Sequence, residues 1–384
     1  MKGKSRVVLF VLLFVPLLLG GCWNRKELNQ LAIVSAVGVD LGENHEIKLT
    51  AQIVKTTALK EGEVGKSKAF YVLSSSGDTV FEAVRNFVSQ SGRKLNWSHN
   101  TVIVMGGKLA REGVTPVLDF FMRDHELRLL TWVMITDGKA EDIVQAESPI
   151  ENIAAQQLDM MLKDYGVLSK SVAVNLLHFV NQIADESLQP VVGRIELEES
   201  GGKKMLALKG AGVFRRDRLI GWLDPLPTRG YLWIRDKVKS AIITVPCPGE
   251  EKQLVSLEVK KAKGKIKPYL DKGEMKYSVE VNVVSNVGEE NCPADLANPD
   301  IITALEDEQR QAVEKEIKLT IDQAQQKFKL DFVGLGAETS RKLPKEWKGL
   351  KEGWEEIFPN SKVEVTVKSK INQIGLKSTL KVNK

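Results

Sequence analysis

The first 22 residues constrain this chain more than any other segment. A basic start precedes an apolar run over 7–19, and the run ends in Gly20-Gly21-Cys22. A positive start, a short apolar core and small residues at its end are typical of a secretory signal peptide. A cysteine directly after the small residues makes the pattern a lipobox. The sequence therefore predicts a signal peptide over 1–21, cleavage before Cys22 and a diacylglycerol on the Cys22 thiol.

The alternative for this segment is a short transmembrane anchor followed by an ordinary cysteine. The apolar run has 13 residues and is interrupted by Pro16, which makes it too short to cross about 30 Å of hydrocarbon. Two acyl chains hold a protein on a membrane more firmly than one, because each buried methylene adds ~0.8 kcal/mol. We therefore expect an exported chain that is tethered to a membrane through the diacylglycerol on Cys22.

The charge balance bears on the partners of the exported part. The chain of 384 residues has a formal charge of +5, and removal of residues 1–21 takes away three positive charges and leaves +2. Lysine and glutamate are interspersed along the chain, whereas a nucleic-acid-binding protein concentrates its basic residues. The sequence therefore predicts no nucleic-acid partner. No apolar stretch after Cys22 approaches the length of a spanning helix.

Two cysteines remain in the exported part, Cys247 and Cys292. An even pair in an exported protein is a candidate disulfide. Closing a loop of this size contributes about 4 kcal/mol in the chain-entropy model. Two separate reduced thiols are the alternative, and the sequence leaves both open.

The order of apolar segments predicts an α+β fold with several domains, built from mixed or antiparallel sheets with packed helices. Strand-like and helix-like segments follow one another without the regular β-α-β-α order of a doubly wound sheet. A polar break over 198–204 that contains two glycines suggests a boundary. We predict an N-terminal α+β domain over 22–200 and a C-terminal α+β region over 205–384. The second region has two candidate subdomains, 205–290 and 295–384.

Two amphipathic helices are predicted from the spacing of apolar residues. Apolar residues from Val80 to Val88 recur at helical spacing after Asp78, which is a suitable N-cap. The segment 300–328 is the strongest helix, and at 1.5 Å per residue it would be about 43 Å long. Its apolar stripe either covers the last sheet or binds a partner helix. The absence of a strict heptad favours the sheet.

No segment carries a catalytic or metal-binding pattern. The four histidines lie far apart, and His125-Glu126 lacks the second histidine that a zinc-binding helix needs at position 129. There is no phosphate-binding glycine loop, no dinucleotide fingerprint and no nucleophile elbow. We therefore predict a protein that is not an enzyme and that holds neither a metal nor a cofactor.

One polar cluster close to predicted strands has two interpretations. Its members are Trp97, His99, Arg123, Asp124 and Arg128. As a functional site, the cluster would bind an anionic ligand or a partner. As a structural feature, one arginine would pair with Asp124 or Glu126 and fix the edge of a strand. We prefer the structural interpretation.

Several motifs carry a family resemblance. The lipobox continues into Cys22-Trp-Asn-Arg-Lys-Glu-Leu28, and an apolar strand over 33–40 ends in Asp40. Further motifs are Gly77–Arg85, Leu95–His99, Phe120–Asp124, Asp331–Gly336, Pro344–Trp347, Trp354–Pro359 and Ile374-Gly375. In this order, over nearly the whole mature chain, they resemble the Ger(x)C family, the lipoprotein C subunits of spore nutrient germinant receptors. Asn24 replaces the family's usual aspartate, which leaves the lipid chemistry at Cys22 unchanged.

The resemblance implies a subunit without enzymatic activity on the outer face of the spore inner membrane. Its implied partners are a multi-spanning A subunit and a transporter-like B subunit, which together detect amino acids, sugars or nucleosides. Whether this subunit contacts the nutrient stays open. The implied fold is a multi-domain α+β arrangement, and Cys22 is the only residue to which the resemblance assigns a chemical role.

Trp347 and Trp354 match the family motifs near the C-terminus. If exposed, they would form a partner interface, since tryptophan is enriched at binding hot spots. Their separation of seven residues places them on one helical face, which favours burial.

An extracytoplasmic solute-binding lipoprotein is the alternative function, because such proteins share the lipobox. They usually consist of two α/β lobes with repeated β-α units, a pattern that this sequence lacks. A cell-wall enzyme on a lipid tether is a third hypothesis. It is the weakest, because no acid–base pair or metal site is apparent.

Overall fold

Two β-sheets organise the chain, a mixed sheet of ten strands and a second sheet of four. The structure is a computed structural model that describes residues 31–55, 69–291, 296 and 298–373. Helices pack against both sheets, so the predicted α+β class with mixed and antiparallel sheets is confirmed. Within the described residues, no helix is both long and apolar enough to span a bilayer.

The bounds of the elements are as follows. The strands are β1 Leu31–Leu41, β2 Ile47–Val54, β3 Phe70–Gly77, β4 Lys94–Asn96, β5 Val102–Met105, β6 Trp132–Ile135, β7 Val174–Asn175, β8 Val191–Ser200, β9 Lys203–Arg215, β10 Arg218–Leu223, β11 Ala241–Cys247, β12 Glu250–Asp271, β13 Glu274–Glu290 and β14 Lys362–Gln373. The α-helices are α1 Val80–Ser91, α2 Gly107–Glu112, α3 Thr115–Arg123, α4 Ala140–Gln145, α5 Ala154–Lys163, α6 Leu176–Ala184, α7 Pro225–Ile234, α8 Pro299–Asp322, α9 Leu335–Lys342, α10 Pro344–Leu350 and α11 Trp354–Ile357.

The first sheet has a parallel centre and antiparallel flanks. Its order is β10-β9-β8-β6-β5-β1-β2-β3, with β4 beside β1 and β7 beside β6. The neighbours β1, β5, β6 and β8 run parallel, whereas the hairpins at both ends run antiparallel. Residues 34–40 of β1 are all buried. A central strand covered on both faces is expected to be apolar along its length, as this one is.

Helix α1 begins one residue later than the sequence predicts. The N-cap is Thr79, whose hydroxyl accepts a hydrogen bond from the amide of Glu82 at 3.1 Å. The Glu82 carboxylate in turn accepts from the amide of Asp78 at 2.8 Å. Asp78 therefore contributes its backbone rather than its side chain, and the prediction that it caps the helix is wrong. The Thr79 hydroxyl and the Glu82 carboxylate thus each accept a hydrogen bond from a backbone amide at the start of the helix.

The polar break at 198–204 forms the turn between β8 and β9. Gly201 and Gly202 have φ angles of 58° and 73°, and two consecutive left-handed residues are what a tight hairpin turn requires. After this turn, β9 pairs with β8, and β10 pairs with β9. The segment after the predicted boundary therefore remains in the first sheet as far as Leu223.

The second sheet lies beneath the long helix. Strands β11, β12 and β13 are antiparallel, and β14 adds to β13 in parallel. The buried side of α8 includes Leu305, Val313 and Ile317, and Gln309 donates to the Ser285 hydroxyl of β13. The prediction that the apolar stripe covers the last sheet is therefore confirmed. The α-helix ends at Asp322, and a π-helical segment continues it over 323–328.

A buried ion pair joins α7 to α8. Arg229 donates from Nε to Glu316 Oε2 at 2.8 Å and from a second nitrogen to Oε1. Trp233 Nε1 also donates to Glu316 Oε2, at 2.9 Å. A Cβ on Gly230 would lie 2.0 Å from Thr320 Oγ1, so only glycine permits this approach of the two helices. The interior between the sheets thus combines close backbone packing with a fully hydrogen-bonded ion pair.

Candidate functional site

The structure describes one of the three cysteines, Cys247. Cys22 and Cys292 lie outside the described residues. Cys247, at the end of β11, is buried and disulfide-bonded. Pairing with Cys292 stays a prediction, in which the bond would join the end of β11 to the segment before α8.

The predicted polar cluster lies along an open groove between α1 and α3. The groove has a volume of about 870 Å³. Trp97 is buried beside it, and the ring centroids of Trp97 and Phe121 are 6.3 Å apart. Arg123 and Asp124 line the groove, whereas His99 is exposed and is not among its lining residues.

The charged partners in this cluster differ from the predicted ones. Arg123 Nε donates to Asp119 Oδ2 at 2.8 Å within α3. Asp124 accepts from the amide of Glu126 at 2.9 Å, and Glu126 pairs with Lys94 of β4. An ion pair does fix a strand edge as predicted, but its cation is Lys94 rather than an arginine. The predicted pairing of an arginine with Asp124 or Glu126 is wrong, because Asp119 lies one helical turn before Arg123.

The groove exposes apolar side chains that the sequence assigned to a core face. Phe81 is 54% exposed and Val88 is 50% exposed. The ring centroid of Phe81 lies 6.0 Å from that of Phe120, and the Arg85 guanidinium carbon lies 4.9 Å from the Phe81 centroid. These contacts form an apolar surface with a cationic border. Helical spacing identified the apolar residues of α1 but not the fact that its stripe is wider than the surface it covers.

Trp347 and Trp354 are buried in the second half of the chain. They are 7% and 6% exposed, and their ring centroids are 5.4 Å apart with edge-to-face geometry. Trp354 also packs edge-on against Tyr277 of β13 at 6.2 Å. The candidate partner interface at these tryptophans is therefore corrected to a core role, because almost no side-chain surface is left for a partner. Burial is the alternative that the seven-residue separation of the two tryptophans favours.

Hydrogen bonds to the Asp331 carboxylate hold Trp354 close to the start of α9. Asp331 Oδ1 accepts from the amides of Gly334 at 2.7 Å and Leu335 at 3.1 Å, and its Oδ2 accepts from the amide of Gly336 at 2.6 Å. Trp354 Nε1 completes the set at 3.1 Å from Oδ2. Burial raises the pKa of Asp331, and these four hydrogen bonds oppose that effect. The carboxylate thus caps the start of α9 and positions the indole.

Asp40 has the same role in the first sheet. It ends the buried part of β1, and its carboxylate accepts from the amides of Ala140 at 2.8 Å and Glu141 at 2.9 Å. These two amides begin α4. Burial raises the pKa of Asp40, and the two amides oppose that effect. Two motifs of the predicted family resemblance therefore contain carboxylates that cap helices. Sequence analysis noted both motifs and missed this function.

The buried carboxylates in the described part of the chain hold structural elements together. Within the described part, no three His, Cys, Asp or Glu side chains are grouped so as to hold a metal ion. The buried carboxylates Asp40, Glu316 and Asp331 are all engaged by backbone amides, arginine or indole groups. The groove between α1 and α3 is therefore the strongest candidate for recognition of another molecule.

Two family models match consecutive parts of the chain. Residues 24–197 match the spore germination protein N-terminal domain, and residues 209–375 match the C-terminal domain described as spore germination B3/GerAC like. The two matches are separated by 198–208, which includes the β8–β9 turn.

Curated relatives match over almost their whole length. Spore germination protein KC of Bacillus subtilis (strain 168) is 29% identical over 403 residues, which covers 98% of each chain. Spore germination protein B3 of the same organism is 26% identical over 371 residues, covering 95% of this chain and 97% of that one. The crystal structure of the GerBC protein has the same fold, with a TM-score of 0.56 and 21% identity. That match covers 87% of this chain and 96% of the GerBC chain.

Replacement of Asp331 by asparagine is expected to destabilise the chain by about 2–4 kcal/mol. The amide group of asparagine would point N–H donors at two of the four donors that the carboxylate now satisfies, and these donors are buried. Urea unfolding of the mature chain measures the change. Asp164→Asn is the matched control, because the exposed Asp164 side chain makes no hydrogen bond or salt bridge within the described residues; it should change stability by less than about 0.5 kcal/mol. Equal stability of the two variants would contradict the capping role.

The Cys247–Cys292 disulfide is expected to leave no free thiol in the mature chain that carries Cys22→Ala. Alkylation before reduction should therefore add no mass, and alkylation after reduction should add two alkyl groups. Intact mass spectrometry measures both. Two alkylated cysteines in the unreduced protein would refute the pairing.

Proposed function

Because the chain belongs to the Ger(x)C family of spore germination proteins, we propose that it is a membrane-anchored lipoprotein subunit of a spore germinant receptor. A role in spore germination follows from the family. The finer proposal is that Cys22 carries a diacylglycerol on the outer face of the spore inner membrane. The chain then assembles there with the integral membrane A and B subunits and takes part in nutrient-triggered germination.

The lipobox is the observation that carries the anchoring proposal. Gly20, Gly21 and Cys22 follow a basic start and an apolar run, and this pattern positions a thiol for lipid attachment. Eight residues lie between Cys22 and Leu31, the first residue of β1. A fully extended segment of this length reaches at most about 30 Å from Cys22 to Leu31. The start of β1 is therefore held within about 30 Å of the membrane surface.

The α1–α3 groove is our candidate surface for an integral membrane subunit. Leu31 pairs with Lys94 of β4, and Lys94 lines the groove. The tether thus joins the folded chain at the border of the groove. The exposed side chains of Phe81 and Val88, together with the half-buried ring of Phe120, suit an apolar segment of a partner. We propose that a juxtamembrane segment of the A or B subunit binds there.

The solute-binding alternative receives less support. A solute-binding lipoprotein would have two similar α/β lobes around its ligand. Here the two sheets differ in strand number and direction, one being mixed with ten strands and the other having a single parallel pair among four strands. We therefore retain the receptor subunit as the proposed function.

Replacement of Cys22 by alanine is expected to move the protein from the membrane fraction to the soluble fraction and to abolish the nutrient response. Without the thiol no acyl chains can be attached, and their buried methylenes supply the membrane affinity. Spore fractionation and a nutrient germination assay measure the two effects. Asn24→Ala, two residues further on, is the control and should behave as the wild type. A normal nutrient response in the Cys22→Ala strain would contradict the proposed need for tethering.

Replacement of Phe81 by aspartate is expected to reduce co-purification of the A and B subunits about ten-fold or more. The charge would be placed in the apolar groove, where a partner would have to desolvate it. Ile150→Asp is the matched control, because Ile150 is 76% exposed and does not line the groove. Both variants should fold normally, since both side chains are largely solvated. Equal co-purification in the two variants would refute the groove as the contact surface.

A further inference from the structure

The outer face of the second sheet concentrates positive charge. Its inner face is covered by α8 and carries buried residues such as Tyr277 and Val281. The alternate residues of β12, β13 and β14 point to the opposite face, which is solvated. Eight lysines lie on this outer face, with five acidic residues among them: Glu258, Asp271, Glu274, Glu280 and Glu364. The lysines are Lys261, Lys263, Lys265, Lys267, Lys276, Lys362, Lys368 and Lys370.

The pleat of the sheet produces this separation of charge. Along the chain, lysines alternate with apolar or small residues in β12, as in 261–267. A strand sends successive side chains to opposite faces, so such alternation collects the lysines on one side. The interspersed charge noted in the sequence therefore does not persist on this face.

Acidic neighbours neutralise only part of the outer face. Lys267 pairs with Glu280, Lys276 with Asp271, Lys362 with Glu274, and Lys263 with Asp236 at the edge of the sheet. The pKa of Glu280 is lowered by its hydrogen bond from Lys267 and by the nearby charges of Lys267, Lys265 and Lys368. Within the described residues, no salt bridge engages four of the lysines. These four are Lys261, Lys265, Lys368 and Lys370.

We propose that this lysine face binds the anionic surface of a phospholipid bilayer. At about 3.3 Å per residue the lysines of β12 extend over about 20 Å, and three strands add about 10 Å of width. A flat basic surface of this size can approach many headgroups within a Debye length of about 8 Å. The inference rests on the proposed lipid anchoring, which holds the chain beside a bilayer.

The composition of the face favours lipid headgroups over nucleic acid. All of its cations are lysines, whereas arginine provides the bidentate contacts that nucleic-acid recognition uses most. Tyr269 is the one aromatic residue on the outer face of these three described strands, so no stacking platform for bases is present there. Diffuse attraction by point charges is sufficient for an anionic bilayer.

Vesicle co-sedimentation of the mature chain that carries Cys22→Ala tests the proposal without the acyl chains. We expect binding to vesicles that contain phosphatidylglycerol and little binding to pure phosphatidylcholine vesicles. Raising the salt from 0.05 to about 0.5 M should weaken the binding at least ten-fold. Replacing Lys261, Lys265, Lys368 and Lys370 together by glutamine should lower the partition coefficient about a hundred-fold or more, since each lysine contributes about five-fold.

The matched control removes four exposed lysines elsewhere: Lys170, Lys203, Lys204 and Lys348. It changes the net charge equally and should lower vesicle binding less than five-fold. Equal losses in the two quadruple variants, absence of binding to the anionic vesicles, or displacement of the protein from vesicles by duplex DNA at lower charge concentration would each overturn the proposal. Such a result would leave anchoring by Cys22 intact, because spore fractionation tests the anchor separately.

Discussion

The arrangement of the two sheets depends on the buried pair formed by Arg229 and Glu316. Desolvation of two charges is costly unless every polar atom finds a partner. Here the carboxylate accepts from the guanidinium and from the Trp233 indole, and the guanidinium also donates to the carbonyl of Ile242 at 3.0 Å. Helix α7 follows the last strand of the first sheet, whereas α8 covers the second. The pair therefore fixes the two sheets relative to each other through directional contacts that apolar packing lacks.

Buried carboxylates perform a related task at the starts of two helices. Asp40 near the end of β1 and Asp331 shortly after the π-helical segment each accept hydrogen bonds from the first amides of a helix. The surrounding glycines permit the approach: a Cβ on Gly106 would lie 2.0 Å from Asp40 Oδ1, and one on Gly336 would lie 2.8 Å from Trp354 Nε1. The motifs that support the family resemblance in these places thus encode helix capping and close packing. An aspartate beside glycines in this chain signals architecture rather than catalysis.

Local periodicity predicted most elements because their buried faces are apolar at regular intervals, as in β1 and α8. It could not predict which apolar residues remain exposed. Phe81 and Phe87 both belong to the helically spaced apolar residues of α1, and only tertiary packing leaves Phe81 exposed and Phe87 buried. The charge of the second sheet was missed for a similar reason. Composition gives only the overall numbers of lysines and glutamates, whereas the pleat of β12 places the lysines of 261–267 on one face of the sheet. The polar turn at 201–202 resembles a linker in sequence, but strand pairing on both sides keeps it inside one sheet.

The proposed tether would change what the groove and the lysine face must achieve energetically. Once acyl chains hold a protein at a bilayer, contacts with that bilayer and with its integral proteins become effectively intramolecular. Modest surfaces are then sufficient, which suits an open groove with two exposed apolar side chains and a basic face on which four of the eight lysines form no salt bridge within the described residues. Two separate contacts would also restrict rotation about the tether, which one lipid anchor cannot do. In this view the acyl chains supply affinity for the membrane, and the folded surfaces supply orientation toward the partner subunits.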